Sequence, residues 1–259
     1  MKFHPSKCKA LSVSRQRNVL DNLPFNIFNY MLGESFIDYV SSQKDLGVTI
    51  TTKLLWGSQI DILISNASSK LGLLMRTCHF TTNKKQKRSF YLTIVRSLFE
   101  HCSVIWSPQH ASHIAKFDMI QKRAIKWIDG HPYVSYTQEE FSKKQREYDI
   151  LPMKARFRLN DLKLFYQIVN SLVPIDLPKY ITFAGASQTR YTRRTAGIIE
   201  GDDTTTLCCS IVPNCDVFSN SYFYRTMKMW NSLPVSVRQA SGISLFKSEL
   251  TRFLWSAEC

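Results

Sequence analysis

The run Ser58-Gln59-Ile60-Asp61-Ile62-Leu63-Ile64-Ser65-Asn66-Ala67-Ser68-Ser69-Lys70-Leu71-Gly72-Leu73-Leu74-Met75-Arg76 decides the fold class. Its apolar positions Ile60, Leu63, Ile64, Ala67, Leu71 and Leu74 recur at spacings of three and four, the signature of one buried face on an α-helix. Upstream the period is different. Cys8 to Ser14 alternates small and apolar residues, Phe25 to Leu32 is rich in aromatics, and Lys44 to Thr52 ends in Val48 and Ile50, with Gly33 and Gly47 as permissive backbone between or within these stretches. They read as short strands. The chain therefore changes from strand to helix near residue 56, which predicts an α+β protein, mostly α, with a short N-terminal antiparallel β-hairpin region followed by a basic helical bundle.

Working outward, a second helix is expected from Lys84 through Phe90, Ile94, Leu98 and Phe99, ended by Trp106, Ser107 and Pro108. A third carries Ile114, Phe117, Ile120, Ala124, Trp127 and Ile128 on one side and stops at Gly130. Two more are expected over 137–148 and 153–171, the latter with Leu162, Phe165, Ile168 and Val169 inward; Lys143, Lys144, Arg146, Lys154, Arg156 and Arg158 are expected outward. Residues 172–221, broken by Pro174, Pro178, Gly185 and Gly197, read as a partly ordered connection with short strands. A last helical pair spans 222–232 and 244–254, with Ser241 or Ser244 as cap for the second.

The 259 residues contain 34 Lys and Arg against 20 Asp and Glu, a net charge of +14, and such a surface concentrates anions such as phosphate backbones. Most of the excess falls in residues 61–180, which hold 19 basic and 10 acidic side chains. Two clusters stand out. Lys84, Lys85, Lys87 and Arg88 fill the first turn of the second helix, where cations oppose the macrodipole, so that either an outside anion or a solvated charged turn is implied. Lys122, Arg123 and Lys126, with Lys116, line the polar face of the third helix. These seven residues, Lys84 to Arg88 and Lys122 to Lys126, are the candidate nucleic-acid-binding groups.

Other motifs are weaker. Gly201-Asp202-Asp203 looks like a polymerase metal-binding turn, but Glu200 precedes it and Thr204 to Thr206 follow instead of apolar strands, so it reads as a surface turn. His101-Cys102 with His110 and His113 supplies nitrogen and sulfur within a short stretch, yet no CxxC pairs with it. Cys208, Cys209 and Cys215 read as packed thiols, and seven scattered cysteines in a chain of this size point to an intracellular compartment, nuclear or cytoplasmic. No GxGxxG, GxxxxGK[ST] or GxSxG occurs, which leaves dinucleotide, P-loop and serine-hydrolase chemistry without residues. No apolar run reaches the length of a membrane span, and no signal peptide or membrane partner is expected.

Five segments, in order, carry a resemblance. His4-Pro5-Ser6-Lys7-Cys8-Lys9 resembles the "NPxKCK" strand of non-LTR (LINE-type, jockey-like or CR1-like) retrotransposon reverse transcriptases, and Lys44-Asp45-Leu46-Gly47-Val48-Thr49-Ile50 resembles their "KDLGV" segment. Arg96-Ser97-Leu98-Phe99-Glu100-His101-Cys102, running on to Trp106-Ser107-Pro108, is similar to "LVRPHLEYxxxxWSP", with Phe99 and His101-Cys102 as departures. Ile120-Gln121-Lys122-Arg123-Ala124 resembles "VQRRA", and Trp230-Asn231-Ser232-Leu233-Pro234 with Phe246-Lys247 resembles the terminal "WNSLP…FK".

The resemblance implies the C-terminal part of such an enzyme. Residues 1–55 would be the end of the palm and a primer-grip-like hairpin, with Lys44, Asp45, Leu46, Gly47 and Val48 as its grip. Residues 56–172 would be a thumb-like helical domain, 173–221 a connection and 222–259 a C-terminal helical pair. The family's catalytic "[YF]xDD" turn lies upstream of the KCK strand, so no catalytic residue and no cofactor is expected in this chain, Mg²⁺ belonging to the intact family enzyme alone. The implied partners are an RNA or RNA/DNA template-primer, bound without sequence specificity, and the missing fingers and palm portion of the same element. The alternatives are a non-enzymatic helical interaction or adaptor module derived from a transposon remnant, and an unselected remnant without function.

Overall fold

The computed structural model describes residue 4 and residues 7–13, 30–184 and 205–258. It is a mixed α+β protein, mostly helical, whose strands form short antiparallel pairs. The chain divides into two compact units, Met1–Asn66 and Ala67–Cys259.

In the first unit, β1 (Met31–Leu32) pairs with β2 (Ser35–Phe36), and β3 (Ser42–Asp45) pairs with β4 (Val48–Thr51). The stretch from Lys44 to Thr52, strand-like by its pattern, thus belongs to a hairpin whose turn falls inside the primer-grip-like segment. Its two-residue turn is Leu46-Gly47, both at positive φ (45° and 87°), the combination a type I′ turn requires to match the strand twist. Alternation of small and apolar residues over 8–14 yields one isolated bridge, Ala10 to Tyr39, instead of a strand: the Ala10 N–H donates to Asp38 O and the Val40 N–H to Ala10 O, with Lys9 paired to Asp38 at 2.7 Å. The expected strand at 25–32 lies outside the described residues except for its end in β1.

Helix α1 (Gly57–Thr77) buries Ile60, Leu63, Ala67, Leu71 and Leu74, the face its spacing specifies, and leaves Ile64 half-buried. Near its start Gln59, almost fully buried, accepts from the Thr49 N–H at 2.9 Å, tying the helix to the β3–β4 hairpin.

In the second unit the expected long helix from residue 84 is instead three pieces: α2 (Lys84–Phe90), a π turn over Tyr91–Arg96, and α3 (Ser97–Glu100). Tyr91, Val95 and Phe99 are all fully buried, and a four-residue spacing overshoots a 3.6-residue turn. The wider π turn absorbs the overshoot and keeps the three on one line. The helix ends at His101 rather than at Trp106. Cys102 takes a left-handed φ of 51°, and α4 (Ser103–Trp106) starts afresh, with the indole N–H of Trp106 donating to His101 O at 2.9 Å.

Then follow α5 (Ala111–Asp129), α6 (Gln138–Glu147) and α7 (Met153–Val169). Thr137 and Glu140 form a capping box at the start of α6. Gly130 closes α5 at φ +89°, with His131 N–H to Lys126 O and Gly130 N–H to Trp127 O, a Schellman motif.

Helix α7 is central. Phe157 packs edge-on against Trp106 and Phe117, and Phe117 in turn against Phe99. Its other side, Leu162, Phe165 and Tyr166, belongs to a core shared with β5 (Ile181–Phe183), β6 (Leu207–Cys209), α8 (Asp216–Ser219), α9 (Tyr222–Asn231), α10 (Val235–Arg238) and α11 (Ile243–Glu258). Phe246 N–H donates to Gly242 O, so Gly242 stands at the cap of α11 and Ser244 lies inside the helix. The last helices therefore dock on α7 within one unit. Tyr222 donates to Asp161 O, and Arg225 grips the buried Asp161 carboxylate through Nη2 and Nε at 3.1 and 3.2 Å, while Nη2 also donates to Val104 O and Nη1 to Asn220 O.

Candidate nucleic-acid interface

Asn83 caps α2 by accepting from the Lys85 and Gln86 N–H groups, which fixes the first turn and aims its cations. Lys84 and Lys87 point at the C-terminal end of α5. Lys84 Nζ lies 2.9 Å from Asp129 Oδ1, and Lys87 Nζ, itself buried, donates to Trp127 O at 3.3 Å beside the Trp127 ring. Arg88 points at the C-terminal end of α6, where it donates through Nε to Tyr148 O and through Nη2 to Asp149 O and Oδ2, both at 3.0 Å.

Three of the four cations thus lie on the negative ends of two neighbouring helices. The anion that the run calls for at the start of α2 is internal. Lys84 at the positive end of α2 and Asp129 at the negative end of α5 would each oppose a helix dipole alone, and joining them removes both penalties.

Asp129 is the hub. Only 4% of its side chain is exposed, and it accepts from Lys84, from Lys144 at 3.0 Å, from Tyr136 at 2.5 Å and from Tyr148. Burial works to raise its pKa, but the tyrosine and lysine donors outweigh it and hold the carboxyl well below the usual carboxylate range. The partners move the other way: Lys84 and Lys144 are raised by their carboxylate bonds, and burial together with Asp129 pushes Tyr136 up to about 12. No spacing rule links 84, 129, 136, 144 and 148, so the hub was not visible as a motif; the only sequence signal was the misplaced cations themselves.

The remaining candidates face outward. Lys85 is exposed. Lys122 is exposed with its ammonium 5.3 Å over the Phe141 ring, Arg123 is exposed with Nη1 3.4 Å from Ser68 Oγ, and Lys126 is half-buried. Arg123 has a neighbour that the sequence reading missed. A Cβ on Gly72 would stand 3.5 Å from Arg76 Nη1 and 3.9 Å from Arg123 Nη2, so two guanidinium groups converge over this glycine of α1. Among the described residues neither has a carboxylate partner.

In the first unit, Lys44 and Asp45 end β3, Leu46-Gly47 is the turn and Val48 is buried at the start of β4, so the primer-grip-like segment is the tip of a hairpin. The Gly201-Asp202-Asp203 turn lies outside the described residues. The His110 and His113 rings meet edge-on at 5.5 Å, and His101 Nε2 lies 3.6 Å from Cys102 Sγ. No group of three His, Cys, Asp or Glu able to hold a metal ion stands among the described residues, and no helix there is long and apolar enough to cross a membrane.

The residues behind the family resemblance are placed largely by packing. Trp106 and Trp230 are fully buried, Gln121 donates to Leu151 O at 2.9 Å, and Asn231 exchanges two hydrogen bonds with the backbone of Leu207, at 3.0 and 2.8 Å, as a neighbouring strand would. Comparison with family models, with curated proteins and with solved structures finds no match.

Proposed function

We propose that this chain is the C-terminal part of a non-LTR retrotransposon reverse transcriptase, and that it grips an RNA or RNA/DNA template-primer by its phosphates without carrying out the chemistry. The ordered motif resemblance supports the origin. The observation that carries the binding reading is the Arg76–Arg123 convergence over Gly72: two guanidinium groups crowded together with no carboxylate partner among the described residues attract an external polyanion, and Lys122 and Lys126 flank them on α5. The contacts are assigned to Arg76, Lys85, Lys122, Arg123 and Lys126. Lys84, Lys87 and Arg88 have internal partners and serve the fold.

The test is fluorescence anisotropy of a labelled RNA/DNA hybrid across a salt series. Log affinity is expected to fall linearly with log salt, and Arg76→Gln with Arg123→Gln to flatten that slope by about 1 per lost phosphate contact. Absence of binding at low salt, or an unchanged slope, overturns the reading. A primed RNA template with Mg²⁺ is expected to remain unextended.

A further inference from the structure

A second arginine pair lies on different elements from the first. Arg96 closes the π turn, and Arg156 sits on the first turn of α7. Both lean on one oxygen of Glu100: Arg156 Nε donates to Oε1 at 2.8 Å, and Arg96 Nε lies 3.0 Å from the same atom without the alignment of a hydrogen bond. The two side chains are 17% and 18% exposed, so their stems are packed and their positions fixed.

Among the described residues, no hydrogen bond engages the Nη nitrogens of either arginine, and those nitrogens are not sealed from solvent. Two guanidinium groups thus share one carboxylate oxygen through Nε, and their Nη donors carry no hydrogen bond among the described residues. Among the described residues, the acid that both arginines touch is Glu100. Asp118, one helical turn before Lys122 on α5, accepts from the Met153 N–H at the start of α7 and pairs electrostatically with Lys122.

Arg96 feels two further cations, Arg156 and Arg88, against the carboxylate of Glu100. Burial first, and then the charges of Arg156 and Arg88, lower the pKa of Arg96 against the pull of Glu100. The hydroxyl of Tyr91, fully buried on the same π turn, has no hydrogen-bond partner among the described residues and senses Arg96, Asp118 and Glu100. π turns recur at functional positions.

We propose that Arg96 and Arg156, held side by side by Glu100, form a docking point for one phosphate group of a nucleic-acid backbone. The inference rests on the reading above for the source of the phosphate. A carboxylate offers two coplanar oxygens and is filled by one fork, whereas a phosphate offers tetrahedral oxygens that two forks on different elements can share. The site is rigid where the Arg76–Arg123 pair is exposed, so it fixes the position of the strand while the exposed pair contributes mainly attraction.

The test uses the full chain and five variants, Arg96→Gln, Arg156→Gln, the double variant of these two, Glu100→Gln and Arg123→Gln, each verified as folded by circular dichroism. The probes are a labelled nucleic-acid duplex, inorganic phosphate and polyglutamate. Arg96→Gln and Arg156→Gln are each expected to weaken the duplex and to flatten its salt slope, the double variant by about 1 in total, as one phosphate contact requires. Inorganic phosphate is expected to raise the unfolding midpoint of the wild type and not of the double variant.

Glu100→Gln is the decisive arm. It keeps an oxygen to orient both Nε groups but removes the opposing charge, so duplex affinity should rise several-fold at low salt, a gain that damaged folding does not produce. Loss of binding in Arg123→Gln with no change in the other four variants overturns this site and leaves the general grip standing. Failure of the duplex to bind, with the phosphate stabilisation present and dependent on Arg96 and Arg156, overturns the grip and supports the oxyanion site. Polyglutamate binding more tightly than duplex at equal salt, through the same two arginines, overturns the assignment to nucleic acid.

Discussion

Replacing Asp129 with Asn tests whether the cation run of α2 belongs to the fold. The substitution keeps shape and one acceptor oxygen but removes the charge that faces Lys84 and Lys144 and turns an amide NH₂ toward donors. Breaking a buried ion pair by deleting one partner costs about 3–5 kcal/mol, and a hydrogen bond to a charged group contributes about 1.5–3 kcal/mol. Asp129 is 4% exposed, which favours the upper end; Lys84 is 48% exposed and can return to water, which moves the estimate down. The expected loss is about 3 kcal/mol, or roughly a hundredfold in the folding equilibrium.

Urea denaturation reads it as a lowered midpoint at unchanged slope. The pH dependence supplies a second check. The folded-state pKa of Asp129 is depressed, so its stabilisation is fully present above the unfolded carboxylate value of about 3.9 and is lost as pH falls below it. The gap between wild type and Asp129→Asn should therefore be flat from about pH 5 to 8 and close on acidification. Asp149→Asn, at a side chain that is 76% exposed, should cost less than about 1 kcal/mol. A loss below about 1 kcal/mol in Asp129→Asn, or a gap independent of pH, refutes the hub as the reason for the cation run.

Leu46→Asn should stabilise the β3–β4 hairpin by about 0.5–1 kcal/mol, because Asn tolerates the left-handed φ of 45° that Leu46 is forced to adopt; a lower melting temperature would count against the type I′ turn. Asn231→Ala strips both partners from the backbone of Leu207 and should cost about 2 kcal/mol in urea titrations. Burial pushes the Asp161 carboxyl up to about 6 against the pull of Arg225, so the folded chain holds this proton more tightly than the unfolded one. Its contribution to stability should fall as pH rises from about 4 to about 6, and a carboxyl ¹³C titration of Asp161 with an ordinary midpoint would contradict the placement.

The helical half of the fold was legible wherever one buried stripe ran the length of an element. The faces of α1 and α5 follow their spacing of three and four, and Gly130 stops α5 as its backbone freedom suggests. Reading failed where tertiary contacts set the local geometry. The π turn exists because Tyr91, Val95 and Phe99 share one core line, and the break at Cys102 because α4 must turn Trp106 toward Phe117 and Phe157. Short strands carried too few residues for periodicity to distinguish a hairpin over 42–51 from a single strand. The sites behaved alike. Arg123 was visible on the polar face of α5, but Arg76 joins it only because Gly72 leaves the helix surface open beneath both guanidinium groups.

Charge counting therefore overstates what a basic helical protein offers to a polyanion. The 19 cations of residues 61–180 are of two kinds, separated not by residue type or local density but by what the fold sets against them. Lys84, Lys87 and Arg88 are the densest run, and they are the cations that end on carbonyls and a carboxylate at the termini of α5 and α6. Arg76 with Arg123, and Arg96 with Arg156, are dispersed in sequence. Yet they are the ones brought together with no acid, or with one acid between two. A cation run in the first turn of a helix is locally unfavourable, and that penalty can be relieved by a ligand or by the C-terminus of another helix. In this chain the second solution is taken at α2 by Lys84, Lys87 and Arg88, and the arginine pairs proposed to meet an external anion lie on α1, the π turn, α5 and α7.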